Sequence, residues 1–568
     1  MRKWLAIPLV LLIAFVMLIS SCGGTTTTTT TAPPTTPKTT TPATTPGQTT
    51  TTSAPEPTPQ TEAPWGTITV AIQDFGAEAT DPTFYESTWG WAMYDSIITT
   101  NKEGQYIGEV AKTWDISPDG KTWTFHLRDD IKFHNGDPLT SADVLFTMSR
   151  FTSDKSTNPW SSGLRINLDH MEAPDANTFV FVTKNPELPL STSFAATRII
   201  PKNYFEAVGE EQFRLKPMGS GPWMFVEHVP ETKWHVTANV NYWDPNNIPA
   251  FKDVVEIQVP EMATQVAMFK NGEVDIPIGI TTDMRVELES QGYRMQTLGL
   301  LSPVCLNIQG TWFTGDKNGR TFATQSKAVR QALSYAINRQ ELCDTYYRGT
   351  AVPGGQFALM PGGKGAAADI IAPDAYDVAK AKSLLAEANY PAAFGDPVVH
   401  LYTTAGPGLD FMQAIQGYWD EAGIQTKIEV VEATVWLAYF FNPAGMTADS
   451  PNIGWIWSWT GGAFDSTYMQ KNLLTSYGVH NMVHDPAVDA LWDKYIKETD
   501  AKLSDQYFTD FLRAGYLTKN SIGLVMVEPK MAVSDRLGAF TTNTHLWYSD
   551  AYSGIKHPAG AKPNAKGE

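Results

Sequence analysis

An α/β fold spread over more than one domain is what this sequence predicts. Two observations predict it: β-patterned runs alternate with stretches of helical periodicity, and about 500 of the 568 residues follow a low-complexity N-terminal stretch, more than one core holds. No internal repeat is visible.

The elements follow in order. Thr-Ile-Thr-Val-Ala-Ile at 67–72 alternates and ends at a polar break, so it reads as the first strand. A hairpin comes next: Trp114-Asp115-Ile116, then the turn Ser117-Pro118-Asp119-Gly120, in which Pro fixes φ and Gly supplies φ > 0. Beyond it Trp123, Phe125 and Leu127 point one way while Thr124, His126 and Arg128 point the other. After the Asn135-Gly136 turn, Thr140 is placed to cap a helix, with Asp143 completing a near capping box. Val144, Leu145, Met148 and Phe151 form that helix's buried stripe. Helices are also expected over 327–338 and over 375–389, the latter with Asp374 as N-cap. Strands are expected at 253–259, 303–308, 397–403, 426–431 and 523–527.

The N-terminus suggests a compartment. Arg2 and Lys3 precede an apolar run from Trp4 to Ile19, followed by Ser20-Ser21-Cys22-Gly23, so 1–21 reads as a secretory signal. The run is short for a membrane span, which takes about 20 apolar residues. Ile-Ser-Ser-Cys resembles the bacterial lipobox, which implies that Cys22 carries a lipid and becomes the mature N-terminus. The alternatives are an ordinary signal peptide with an incidental Cys22, or an uncleaved anchor. Residues 23–64 are almost wholly Thr and Pro, with seven Thr at 25–31. Such a stretch cannot offset its ordering entropy by burial and reads as a disordered tether, spanning ~40 Å as a coil to ~130 Å as polyproline II.

Composition narrows the partners. The formal charge of −18 becomes −20 without Arg2 and Lys3, which argues against nucleic acid and against direct docking on an anionic membrane. The 18 Trp and 21 Tyr suit a site for apolar or flat groups, although most must be core. An oxidising compartment permits a disulfide between Cys305 and Cys343, and two separate buried thiols fit equally well.

Seven segments carry a resemblance, in one order. They are Glu109-Val-Ala-Lys-Thr-Trp114 through Arg128; Ile131-Lys-Phe-His-Asn-Gly136 through Val144; Gly219-Ser-Gly-Pro-Trp223 with Asn241-Tyr-Trp243; Lys270-Asn-Gly-Glu-Val-Asp275; Ala328-Val-Arg330 through Arg339; Tyr376-Asp377 with Leu384-Leu-Ala-Glu-Ala388; and Trp419-Asp-Glu-Ala-Gly423-Ile. From about 67 to about 555 the chain resembles the family 5 solute-binding proteins, the oligopeptide/dipeptide/nickel-binding proteins of ABC importers. The resemblance implies a two-lobed periplasmic-binding-protein-like α/β fold (type II, large peptide-binding class) with a hinge and an interlobe cleft. Lobe I would take 65–300 and, on the return, 530–568; lobe II would take 301–529. The crossings would fall near Leu301-Ser302-Pro303 and Val527-Glu528-Pro529. It also implies capture of a small peptide-like solute for permease and ATPase subunits, by a monomer held on the outer face of the cell membrane or in the periplasm.

Most signature residues are architectural in this family, so Arg128, Asp143 and Arg330 are expected to be structural. The candidate site is 454–465, Gly-Trp-Ile-Trp-Ser-Trp-Thr-Gly-Gly-Ala-Phe-Asp. In peptide-binding relatives the matching segment supplies an Asp for the ligand's ammonium; here Ser458 stands at that position and Asp465 lies further on. Trp455, Trp457 and Trp459 fall at alternate positions, so on a strand they share one face, lining a pocket for flat or cationic groups or packing the core. Phe75, in the loop after the first strand, and Asn307, at the end of lobe II's first strand, complete the candidates, with Trp312 and Phe313 at the mouth.

No His-Glu-x-x-His, Gly-x-Ser-x-Gly or P-loop occurs, so no enzyme activity and no cofactor are expected. His480 and His484 are four residues apart with no third ligand in view, and His400 and His545 have no clear place in a cleft, so no metal site is expected. The rival readings are a binder of an oligosaccharide, cationic compound or metal chelate, and a surface sensor or adhesin. If the tether is inert, a chain starting at Trp65 should fold and bind like the full chain in calorimetry; lost binding would contradict that.

Overall fold

The computed structural model describes residues 63–563 apart from 76–77, 79, 84–89, 102–103, 157, 159, 188–189, 298–300, 316–317, 405–406, 433–434, 436–449, 451–453, 461, 464–465, 479, 481, 499, 529 and 541–551. Cys22, the Thr/Pro stretch, Asp465 and His545 lie outside the described residues.

The chain enters its first lobe at Trp65, whose ring stacks on His557 with centroids 3.6 Å apart. Strand β1 (Thr67–Ile72) follows. The expected hairpin is β2 (Ala111–Ile116) and β3 (Thr122–Leu127), with Trp123, Phe125 and Leu127 buried on one face. Helix α1 (Ser141–Phe151) starts where Asp143 accepts from Thr140 N at 2.9 Å and from Lys202 N at 3.0 Å. Strands β4 (Leu168–Asp175) and β5 (Thr178–Thr183) close an antiparallel sheet of order β2-β3-β5-β4. Next come β6 (Trp223–Val229), β7 (Lys233–Ala238), β8 (Asp253–Gln258), β9 (Ile276–Pro277) and β10 (Met295–Thr297). A second sheet has the order β9-β1-β8-β7-β6, with β1 parallel to both β8 and β9. Its core joins Ile68, Trp223 and Val254 to Met531, Leu537, Tyr552 and Ile555 from the far end of the chain.

The second lobe is built on one sheet. Its elements are β11 (Ser302–Ile308), α2 (Lys327–Tyr335), β12 (Ala351–Pro353), α3 (Val378–Glu387), β13 (Val399–Thr403), α4 (Pro407–Glu421), β14 (Thr426–Val430), β15 (Ile456–Thr460), α5 (Thr467–Leu474), α6 (Pro486–Tyr495), α7 (Ala501–Tyr516) and β16 (Ser521–Val527). The sheet order is β12-β16-β11-β15-β13-β14. Helices cover both faces, so β11 is buried from Pro303 to Ile308 and shows no alternation. Val304, Leu306 and Ile308 meet α2, α3 and α4 on one side. Cys305 meets α5, α6 and α7 on the other. Strand β17 (Lys530–Ala532) then pairs antiparallel with β10, Thr297 opposite Lys530.

One detail differs from expectation, and the structure decides between the two readings of the cysteines. The N-cap of α3 is Asp377, which accepts from Lys380 N at 2.8 Å, whereas Asp374 is held by Lys519 Nζ at 2.7 Å and by Ser334 Oγ. A tertiary ion pair claims the first Asp, and the helix starts three residues later. The cysteines face opposite sides of the lobe II sheet and are both free thiols. Burial pushes Cys305 up to about 12 and Cys343 up to about 11, so both stay protonated at neutral pH.

Glu256 on β8 gives a pH-dependent term. Its carboxyl is buried and accepts from Tyr552 Oη at 2.8 Å. Burial raises its pKa to about 7, while the hydrogen bond opposes the rise. A raised carboxyl favours the protonated folded state at low pH, and that contribution is lost as pH climbs from the unfolded value through 7. Glu256→Gln should therefore stabilise the protein at pH 8 by on the order of 3 kcal/mol and change it little at pH 5, as read by denaturant unfolding. Equal effects at both pH values would refute this.

Candidate functional site

In open α/β sheets, ligands sit beyond the carboxyl ends of parallel strands. Register locates that edge in lobe II. Ile308 pairs with Ile456 and Val304 with Thr460, so the carboxyl end of β15 lies beside the start of β11, where the chain has just crossed between lobes. β13 and β14 run parallel to β15, and their carboxyl ends share this edge.

The same logic locates the edge in lobe I. After β17, Ser534 N donates to Asp275 O, and Arg536 binds Asp275 at 2.7 Å and Thr67 O at 2.9 Å. Asp275 and Thr67 mark the amino ends of β9 and β1, so the crossing at Lys530 lies toward their carboxyl ends. Just past β1, Gln73 and Asp74 are exposed. With Glu78, Glu231 and Gln258 they line a pocket of about 520 Å³ with an acidic wall.

The signature residues and their partners fasten distant segments together. Asp95 is wholly buried and accepts from Ser220 Oγ and Tyr242 Oη, both at 2.7 Å, and from Trp243 Nε1 at 3.2 Å. Burial raises its pKa, against those hydrogen bonds and the Arg198 charge. Gly219 and Gly221 flank Ser220 because a Cβ at either would stand 2.0 Å or 2.6 Å from the carbonyl of Met93 or Ala92. Arg128 lies over the Trp243 ring at 4.3 Å. Arg330 donates to the carbonyls of Thr324, Gln325 and Thr518, and Arg339 to those of Ser334, Asp374 and Gly523. Burial lowers both guanidinium groups to about 10, and both remain cations at neutral pH.

The candidate residues separate by depth. Asn307 and Trp457 are cross-strand partners, both fully buried beneath α5, α6 and α7. Asn307 Nδ2 donates to Cys305 Sγ at 3.5 Å, and Trp457 meets Phe357 edge-on at 6.4 Å. Phe75 is 4% exposed and packs into the lobe I core, its ring edge-on to His228. These three side chains face cores rather than open space. Trp455 is half-buried at the amino end of β15, stacked on His400 at 5.2 Å, away from the crossing edge. Trp459 pairs with Cys305 toward that edge, its side chain outside the described residues, as is all of Asp465. Gly454 is required because a Cβ would meet the Phe322 ring at 2.3 Å and because φ is +73°. Trp312 stacks on His484 at 4.1 Å, and His480 lies near Trp457, so these imidazoles serve ring packing. Gln73 and Asp74 were not singled out by sequence; the polar break ending β1 was the available signal.

Among the described residues no cluster of three or more His, Cys, Asp or Glu could hold a metal, and no helix is long and apolar enough to cross a membrane. Two lobes joined by paired crossings, with strand ends converging on them, make up the two-lobed binding-protein fold. Residues 105–481 match the model of bacterial extracellular solute-binding proteins, family 5, and the chain belongs to that family of binding proteins, not enzymes. It is 26% identical to di/tripeptide-binding protein 3 of Pseudomonas aeruginosa over 469 residues, 76% of this chain and 82% of that protein. It is 27% identical to the nickel-binding periplasmic protein of Escherichia coli over 330 residues, 54% of this chain, though the match spans only 57% of that protein. In fold it is similar to NikA of Brucella suis solved with Fe(III)-EDTA (TM-score 0.74, 20% identity, 87% of this chain and all of that one). It is also similar to the ABC transporter substrate-binding protein CtaP of Listeria monocytogenes (TM-score 0.72, 21% identity, 87% and 100% coverage).

Trp457→Ala should destabilise the protein by about 3–5 kcal/mol, the range for emptying a buried aromatic site. Denaturant melting reads this directly, and a loss below about 1 kcal/mol would contradict the packing role.

Proposed function

We propose that this chain is the solute-capturing lipoprotein of an ABC importer, tethered through Cys22 on the outer side of the membrane and closing as a monomer around a peptide-like solute for the permease and ATPase. The observation that carries this reading is the convergence of carboxyl strand ends from both lobes on one pair of crossings, in a member of this family. Such an arrangement encloses a ligand on closing, so its polar groups can be matched by protein partners. A carrier of this kind signals its loaded state only through the ligand's preference for the closed form.

The residues proposed to meet the solute are Gln73 and Asp74 from lobe I and Trp459 and Asp465 from lobe II. Phe75, Asn307, Trp455 and Trp457 would support the walls. Peptide-like ligands are favoured by the di/tripeptide-binding relative. Ser458, where the resemblance expects the ammonium-pairing Asp, favours a second reading, a solute without a free amino terminus. The acidic wall at Asp74, Glu78 and Glu231 suits a cationic group on either solute.

Mass spectrometry of compounds released by denaturing the protein, followed by calorimetry with the compound found, tests the proposal. A peptide or amide-bearing solute is expected. A tight ligand with no peptide bond would overturn the peptide assignment, and Asp74→Asn leaving affinity for a cationic ligand unchanged would remove the lobe I pocket from the site.

A further inference from the structure

Besides the crossings and the Arg348–Asp283 and Arg285–Thr350 contacts near them, the lobes touch at α5, and the geometry there points to a latch. We infer that α5 holds lobe II against lobe I through Lys471–Glu187 and Tyr468–Trp160, and that these contacts set the fraction of protein that is closed. The inference rests on the reading of the lobes as a closing trap.

Helix α5 begins seven residues after β15 ends, directly beyond the crossing edge. It is fixed to lobe II from behind. Leu473 and Leu474 lie in that lobe's core, and the Gln470 amide donates to Phe357 O and accepts from Tyr516 Oη. Tyr468 and Lys471, three residues apart, share a face of the helix. Both reach lobe I. Lys471 Nζ stands 2.7 Å from Glu187 Oε1, with the two side chains 22% and 10% exposed. Glu187 Oε2 accepts from Asn167 Nδ2 at 2.8 Å, so the carboxylate is oriented before the lysine arrives. Beside the pair, the rings of Tyr468 and Trp160 lie 4.9 Å apart, and Tyr468 and Met469 pack on the core of the β2-β3-β5-β4 sheet.

Two properties separate this from an ordinary surface ion pair. The charges are largely desolvated and one is pre-oriented, so removing one partner leaves the other poorly solvated. The contact also joins elements of two separate cores, and the ion pair and the neighbouring rings lie together in one patch. When only the closed state binds, the apparent dissociation constant is the intrinsic one divided by the closed fraction. Weakening the latch would therefore weaken every ligand by the same factor, without touching the site.

Small-angle scattering of the ligand-free full chain tests this without knowledge of the solute. Lys471→Met keeps the aliphatic stem, and Glu187→Gln keeps the acceptor for Asn167, so both variants should fold, as circular dichroism would check. Each should lower the closed-to-open ratio about fivefold and raise the radius of gyration. The charge-swapped pair, Glu187→Lys with Lys471→Glu, should recover part of the closed population. Tyr468→Ala should open the protein in the same direction. Unchanged scattering in both single-charge variants and in Tyr468→Ala overturns the latch, whatever solute the mass spectrum contains. A double variant no more closed than the singles overturns the ion pair's part in it.

Discussion

The pairing of β11 with β16 is the constraint on which the rest depends. These strands are more than two hundred residues apart in sequence, yet Ser302 lies opposite Val527 and Asn307 opposite Ser521 in one antiparallel ladder. Each strand is the continuation of a crossing from lobe I, where β10 and β17 pair in turn. Two ladders, one in each lobe, therefore hold the ends of both crossings next to each other. A chain that crosses twice at one place can bend there with few dihedral changes, which is the geometry of a hinge. The same ladder sets the neighbours of β15, and hence which end of 454–465 meets the crossing.

The signature residues read as fasteners between segments distant in sequence. Asp95 gathers Ser220, Tyr242 and Trp243 from more than a hundred residues away. Asp275 anchors Arg536, which returns the C-terminal segment to the sheet it left. Arg339 ties the turn after α2 to Gly523 in β16. Each polar group is buried and would be costly alone, and each is satisfied by partners from another segment. Such residues mark the fold rather than the ligand, so a strong motif match says much about architecture and little about specificity.

That division explains what was legible in the sequence. β1, the hairpin, α1 and the five later strands rest on local pattern and turn chemistry, and they form within a few residues of the expected limits. The shared face of Trp455 and Trp457 was equally legible, because strand periodicity fixes it. What that face meets was not. Helices cover both faces of the lobe II sheet, so no outward side exists to reveal a binding surface by alternation. Phe75 shows the complementary limit: it follows a polar break and reads as a loop residue, yet the loop turns it inward while leaving Gln73 and Asp74 outside. The shift of the α3 cap from Asp374 to Asp377 has the same cause, a long-range partner overriding a local preference.

Burial also separates two tasks within the tryptophan row. Trp457 and Asn307 fill the space between β15, β11 and the helices behind them, which fixes the position of the strand. The strand's carboxyl end lies beside the start of β11, and α5 is bolted to the same core through Leu473 and Leu474. The edge thus inherits its placement from that core. Ser458, opposite Leu306, lies within the ladder and not at the edge. A densely packed wall that sets the edge from behind fits a fold shared by relatives with names as different as nickel-binding and di/tripeptide-binding.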